Sequence, residues 1–297
     1  MPGAKAPAAL TSRPVEPLTL PALPPVFEPT RATLHAYALV VGAVPRAHAE
    51  PLPHWWHLGM LLYPEGLVTA PIPLPGGATL RLSLDLVRHE IVAAVGDEVV
   101  ERLDMRRGRS ATELAAELFS VTAGLGLADD YDRLKFENDD PRPYDPEAAG
   151  AYLAAFTAAE AVLARHRSWL NGRDSWNGRA VGSGRAAGSG LSAIHVWPHH
   201  FDMSFEWYGD RVVVIDGESS PSQLNLGFDP AREPYFYSNP WPLEPSLVGS
   251  LLPHGAMWHT EGWQGTMLPY ETVRRGNPVV MVTDFARAVF ELAEPTL

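Results

Sequence analysis

The stretch Trp197-Pro198-His199-His200-Phe201-Asp202, continuing through Met203, Ser204, Phe205, Glu206 and Trp207, concentrates side chains that can move protons. Read as extended backbone from residue 199 onward, it places Phe201, Met203, Phe205 and Trp207 on one face and His200, Asp202, Ser204 and Glu206 on the other. The aromatic face is expected to be core. The polar face joins histidine to two carboxylates, types suited to general acid–base catalysis or to holding a hard cation; a plain solvent-facing strand would carry the same polar set. His199 lies beside this face, and His195, on the far side of Pro198, could turn toward the same place.

Glu218 joins this group only through register. Gly209-Asp210 is expected to turn residues 211–216 back onto 200–208. With a two-residue turn, Asp202 lies opposite Gly217, and Asp216 and Glu218 land on the aromatic face. A one-residue bulge would bring both acids round to His200 and Asp202 and make a divalent-metal site geometrically possible. The simple register is the expectation, so no metal is assigned.

Aromatic clusters give a second signal. Trp55-Trp56, Tyr235-Phe236-Tyr237, Trp241, Trp258 and Trp263 fall in Pro- and Gly-rich stretches, where pocket rims form. Ordinary packing accounts for many such rings. The alternative is an aromatic-walled cleft, with Trp56, Tyr235, Tyr237 and Trp241 as walls and a few polar groups as floor. His254, His259 and Glu261 have irregular spacing and make weak metal ligands.

Other chemistries are excluded. There is no cysteine, so disulfides, thiolate metal sites and cysteine nucleophiles are absent. The glycine-rich segment holds no lysine for a phosphate-binding loop, and Gly182, Gly184 and Gly188 have the wrong spacing for a dinucleotide fingerprint. His89-Glu90 lacks the second histidine of a zinc-protease helix, and no serine sits in a nucleophile elbow. No cofactor is expected. A net charge of −12, with Lys5 and Lys135 as the only lysines, opposes binding to nucleic acid or anionic membrane. With no apolar run long enough to span a bilayer and no secretory signal, the expected location is the cytoplasm.

The elements that must position these residues follow from periodicity. Thr30 is expected to cap a helix over 30–44 bearing Leu34, Ala38 and Val41. Strands are expected over 57–63 and 66–72, then over 79–86, where Leu80, Leu82, Leu84 and Leu86 alternate with polar residues. A hairpin over 89–95 and 98–103 turns at Gly96-Asp97. Ser110 and Glu113 form a capping box for a helix to about residue 123. The longest helix runs from 146 to about 170, strands fall near 191–197, 200–208, 211–216 and 222–227, and a helix over 278–292 follows. Antiparallel hairpins with several packed helices make an α+β fold. Residues 1–30, dense in Pro and Ala, are expected to form a disordered leader to a single domain over 31–297. Its possible halves, 31–170 and 191–297, would be joined by a loop over 171–190 that contains six glycines.

Several motifs carry a resemblance. Trp55-Trp56-His57-Leu58, Gly66-Leu67-Val68-Thr69, WPHHFD at 197–202 followed by FEW, PYFY at 234–237 and LPYE at 268–271 together resemble a bacterial family of unknown function over roughly residues 50–290. The resemblance implies a domain spanning the chain and a focus on His199, His200 and Asp202, with no established activity. The reading as a whole is a small-molecule protein with an aromatic-lined pocket. Either Asp202 orients a histidine that acts as general base in hydrolysis, or the pocket binds an apolar or planar metabolite without turnover.

Overall fold

A computed structural model describes residues 18–176, 190–215 and 217–297. Helix α1 (Glu28–His48) buries Leu34, Ala38 and Val41, as their spacing requires. Thr30 is not its cap. It lies inside the helix, and its hydroxyl accepts a 2.9 Å hydrogen bond from the Asp145 amide. The expected leader is also shorter than 1–30, because Leu20 and Leu23 are buried in the core and the Tyr270 hydroxyl donates to the Pro21 carbonyl at 2.9 Å. Two leucines amid prolines make a dock without making a period. Residues 1–17 lie outside the described residues.

The first sheet contains β1 (Leu61–Tyr63), β2 (Gly66–Val68), β3 (Ile72–Pro73), β4 (Thr79–Asp85), β5 (Glu90–Val95) and β6 (Glu98–Asp104). It is antiparallel in the order β1-β2-β4-β5-β6, with β3 also on β4. Leu80, Leu82 and Leu84 face inward, and Gly96 takes φ 59° in the expected hairpin turn. The strand expected over 57–63 begins only at Leu61, since Pro53–Leu58 winds into a 3-10 segment. Helix α2 (Ala111–Gly124) opens on the Ser110–Glu113 capping box, with both reciprocal bonds formed. Helix α3 (Pro146–Trp176) outruns its expected end, so part of the segment taken as a loop is helical; residues 177–189 lie outside the described residues.

The second sheet contains β7 (His195–Trp197), β8 (Asp202–Ile215), β9 (Glu218–Asp229), β10 (Tyr235–Ser238), β11 (Pro240–Trp241), β12 (Met257–His259) and β13 (Gly265–Pro269), followed by helices α4 (Tyr270–Arg274) and α5 (Pro278–Ala293). Its order is β12-β13-β10-β9-β8-β7, with β11 on β9. The Pro- and aromatic-rich composition of 234–269 concealed four short strands.

The hairpin turn is not at Gly209-Asp210. Strand β8 runs through that dipeptide with a register shift between Tyr208 and Val212, and β9 pairs back from Glu218 opposite Ile215. Gly209 serves close approach instead of a turn: a Cβ there would run into the Ser222 hydroxyl and the Leu297 carbonyl. That carbonyl accepts from the Arg211 amide at 2.8 Å and from Ser222 Oγ at 2.6 Å. The turn glycine is Gly217, at φ 84°. In consequence Met203 pairs with Phe228 and Ser204 with Gly227, and Asp202 is nowhere near Gly217.

Both faces of the second sheet follow the alternation. Phe201, Met203, Phe205 and Trp207 are at most 1% exposed. Phe156 of α3 meets Phe201 and Phe228 edge-on at 5.5 and 5.9 Å, and Phe290 of α5 meets Trp207 at 5.1 Å. Met60 and Val196 join the two sheets through a pair of backbone hydrogen bonds of 2.9 and 2.8 Å. The fold is α+β, with antiparallel sheets and helices packed on them. Among the described residues, no helix is long and apolar enough to cross a membrane.

Candidate functional site

Opposite the α3–α5 face, the second sheet forms the floor of an open cleft of about 1000 Å³. Its rungs are set by register. Tyr235 pairs with Asp229, Tyr237 with Gly227, Gly227 with Ser204, and Asn225 with Glu206. Asp202, next but one to Ser204, therefore continues the same face.

The deepest acid is Asp202, 8% exposed. One carboxyl oxygen accepts a hydrogen bond from the Tyr237 hydroxyl. The other is buried without a partner. The Tyr237 ring reaches Asp202 by lying over Gly227, where any Cβ would strike it. Burial raises the Asp202 pKa to about 6, helped by the nearby Asp229 charge and opposed by the Tyr237 hydrogen bond and His200. Asp229 is also raised, first by burial; it accepts from the Tyr235 hydroxyl at 3.0 Å and from the Ala231 amide at 2.9 Å.

Glu206 differs from Asp202 in being satisfied on both oxygens. Ser192 Oγ and Ser204 Oγ donate to them at 2.8 and 2.9 Å, and the Trp197 indole donates to Ser204 Oγ at 2.9 Å. Its pKa is raised by burial despite these bonds. The arrangement fixes Glu206 in place, whereas Asp202 retains a free acceptor.

His199 and His200 project from the turn that precedes β8 and line the cleft. Phe201, at φ 60°, makes that turn in the left-handed region, which costs roughly 1–3 kcal/mol. Its ring is held between His35, stacked at 6.0 Å, and Phe156. The His199 ring still meets solvent, yet partial desolvation, then His200 and Arg46, lower its pKa to about 4. It is neutral at pH 7 and a weak base. The expected Asp202–histidine hydrogen bond is not formed; Tyr237 takes that position.

Of the residues singled out from sequence, His199, His200, Asp202, Glu206, Tyr235 and Tyr237 line this one cleft, and Glu218 lines its outer end near the hairpin tip. Three do not. His195 faces the same way as Ser204 but is buried under Gly59, with its pKa lowered to about 4 by burial and then by Arg167. Trp241 pairs with Gln223 at the far side of β9, and Trp56 sits behind Tyr208, 6.1 Å away between ring centres. The residue presented to the cleft is the neighbour Trp55, 63% exposed. His54 and Trp55 both take positive φ, 54° and 61°, and His54 stacks on Tyr208 at 4.2 Å.

Sequence reasoning missed Asp229, Asn225 and Gln223, which only the true β8–β9 register brings to the floor. Tyr208 was legible from parity alone. Arg46 and Lys135 reach the rim from α1 and from a distant loop, with no sequence signal. Among the described residues, no group of three or more His, Asp or Glu side chains is arranged to hold a metal.

Residues 20–182, more than half of the chain, match the model of a family described as a family of unknown function (DUF5996). The chain belongs to that family. The family match covers α1, the first sheet, α2 and the whole of α3, and ends before β7; the WPHHFD segment and the cleft floor lie beyond it. No curated protein and no solved structure matches the chain.

Proposed function

We propose that the protein binds a small polar molecule in this cleft and acts on it by proton transfer at Asp202, most simply as a hydrolase-like enzyme in which Asp202 takes a proton from an attacking water. The observation that carries this reading is the Asp202 carboxyl itself: buried, oriented by Tyr237, with one oxygen unpartnered and a pKa of about 6. A general base works best with a pKa near the working pH, and Asp202 lies closer to it than His199. His200 and Glu206 shape the floor on either side, and Tyr235 with Trp263 supplies a wall, their rings stacked at 5.9 Å.

A polar floor of acids and amides argues against the apolar ligand expected for a pure binding module. On the strength of the −12 net charge we infer that it works without nucleic-acid or membrane partners, and we keep the cytoplasm as its expected location. The test is a mass-spectrometric screen of pooled polar metabolites against wild type and Asp202→Asn. Consumption of a compound by wild type and not by the variant supports the reading. Compounds that bind both proteins and are never consumed would reduce the protein to a binding module, and consumption undiminished in Asp202→Asn would remove Asp202 from the chemistry.

A further inference from the structure

Resting on that reading of the cleft, we propose that its ligand carries a protonated amine, which docks on Asp229 against the Tyr235–Trp263 wall, beside Asp202, and leaves the free Asp202 oxygen to the attacking water. Asp202 lines the cleft floor and one of its buried oxygens has no partner, so the floor carries a carboxyl whose charge is left unanswered. Asp202 and Asp229 are held by tyrosine hydroxyls and one backbone amide, and among the described residues no arginine or lysine forms an ion pair with either. The buried acid of the first sheet, Asp85, is by contrast bridged by Arg88 at 3.0 Å. Burial raises the proton affinity of both carboxyls, the Asp229 charge raises that of Asp202 further, and Arg31 offsets the Asp229 charge only in part; a ligand ammonium relieves this cost where a neutral hydroxyl cannot.

The walls agree with this. Tyr235 and Trp263 lie nearly parallel, 10° apart, and an aromatic face attracts a cation. Among the described residues, the lysine and arginine at the cleft, Lys135 and Arg46, come from a loop and from α1 rather than from the floor strands. A metal is the less fitting occupant, since the described residues offer no three-ligand group.

The probe pair is phenethylamine and 2-phenylethanol, matched in size and differing in the charged group. Binding is followed through the tryptophan indole NMR signals, with Trp263→Phe to assign the wall. The amine is expected to bind at least about tenfold more tightly than the alcohol. That preference should fall below about threefold in Asp202→Asn and in Asp229→Asn. Equal affinities, or a preference that survives both substitutions, would overturn the proposal. If the alcohol shifts the Trp263 signal as strongly as the amine, the small-molecule cleft stands and only the amine is wrong; if neither probe shifts it, both readings fall.

Discussion

Asp202 is a carboxyl kept where its charge is costly. Its pKa is raised from 3.8 to about 6, so the folded state holds a proton more tightly than the unfolded chain. The sign follows from linkage: this stability is fully present below pH 4, and is lost as pH rises through about 6. Asp202→Asn removes that loss. In urea melts the variant should be more stable than wild type at pH 7, by about 1–3 kcal/mol, and the difference should shrink toward zero at pH 4. A structural strut would behave in the opposite way, weakening the fold at pH 7. The other face of β8 supplies the contrast. Phe205, 1% exposed, should cost about 3–5 kcal/mol on truncation to alanine, while His200→Ala, at an exposed position, should change stability by less than about 0.5 kcal/mol.

At the scale of elements, Gly209 was read as a turn because glycine before aspartate usually marks one, and its real task, admitting residue 297 beside β8, depends on a contact 88 positions away. Gly209→Ala should therefore destabilise by about 1–3 kcal/mol, as overpacking does, measured by thermal melts. The alternation of β8 was legible because both faces of one strand follow from parity alone. Asp229 and Asn225 were not legible, because placing them requires the length of the hairpin, and that length changed when the turn moved from 209–210 to Gly217. The docking of Leu20 and Leu23 was equally hidden, two apolar residues being too few to show a period. Chains beginning at residue 18 and at residue 27 separate that contribution. The shorter one loses both leucines and the Pro21 carbonyl that Tyr270 uses, and should be less stable by about 2–5 kcal/mol.

Across the whole molecule, the cleft draws its floor from the second sheet and its rim from α1, the segment around Trp55 and the loop at Lys135. One hydrophobic cluster runs from Leu20 through α1, α3 and both sheets to Leu297. We expect a single calorimetric transition, with the 31–170 and 191–297 halves unable to fold apart. Such a scaffold can hold a carboxyl in a costly environment because the cooperative stability of the rest offsets the cost locally incurred. The account rests on that carboxyl being protonated well above the usual aspartate range. The direct measurement is a ¹³C NMR titration of the aspartate side-chain carboxyls, with Asp202→Asn identifying the resonance. The account predicts a midpoint near pH 6 for Asp202; a midpoint at or below that of an ordinary aspartate, about 4, would contradict it.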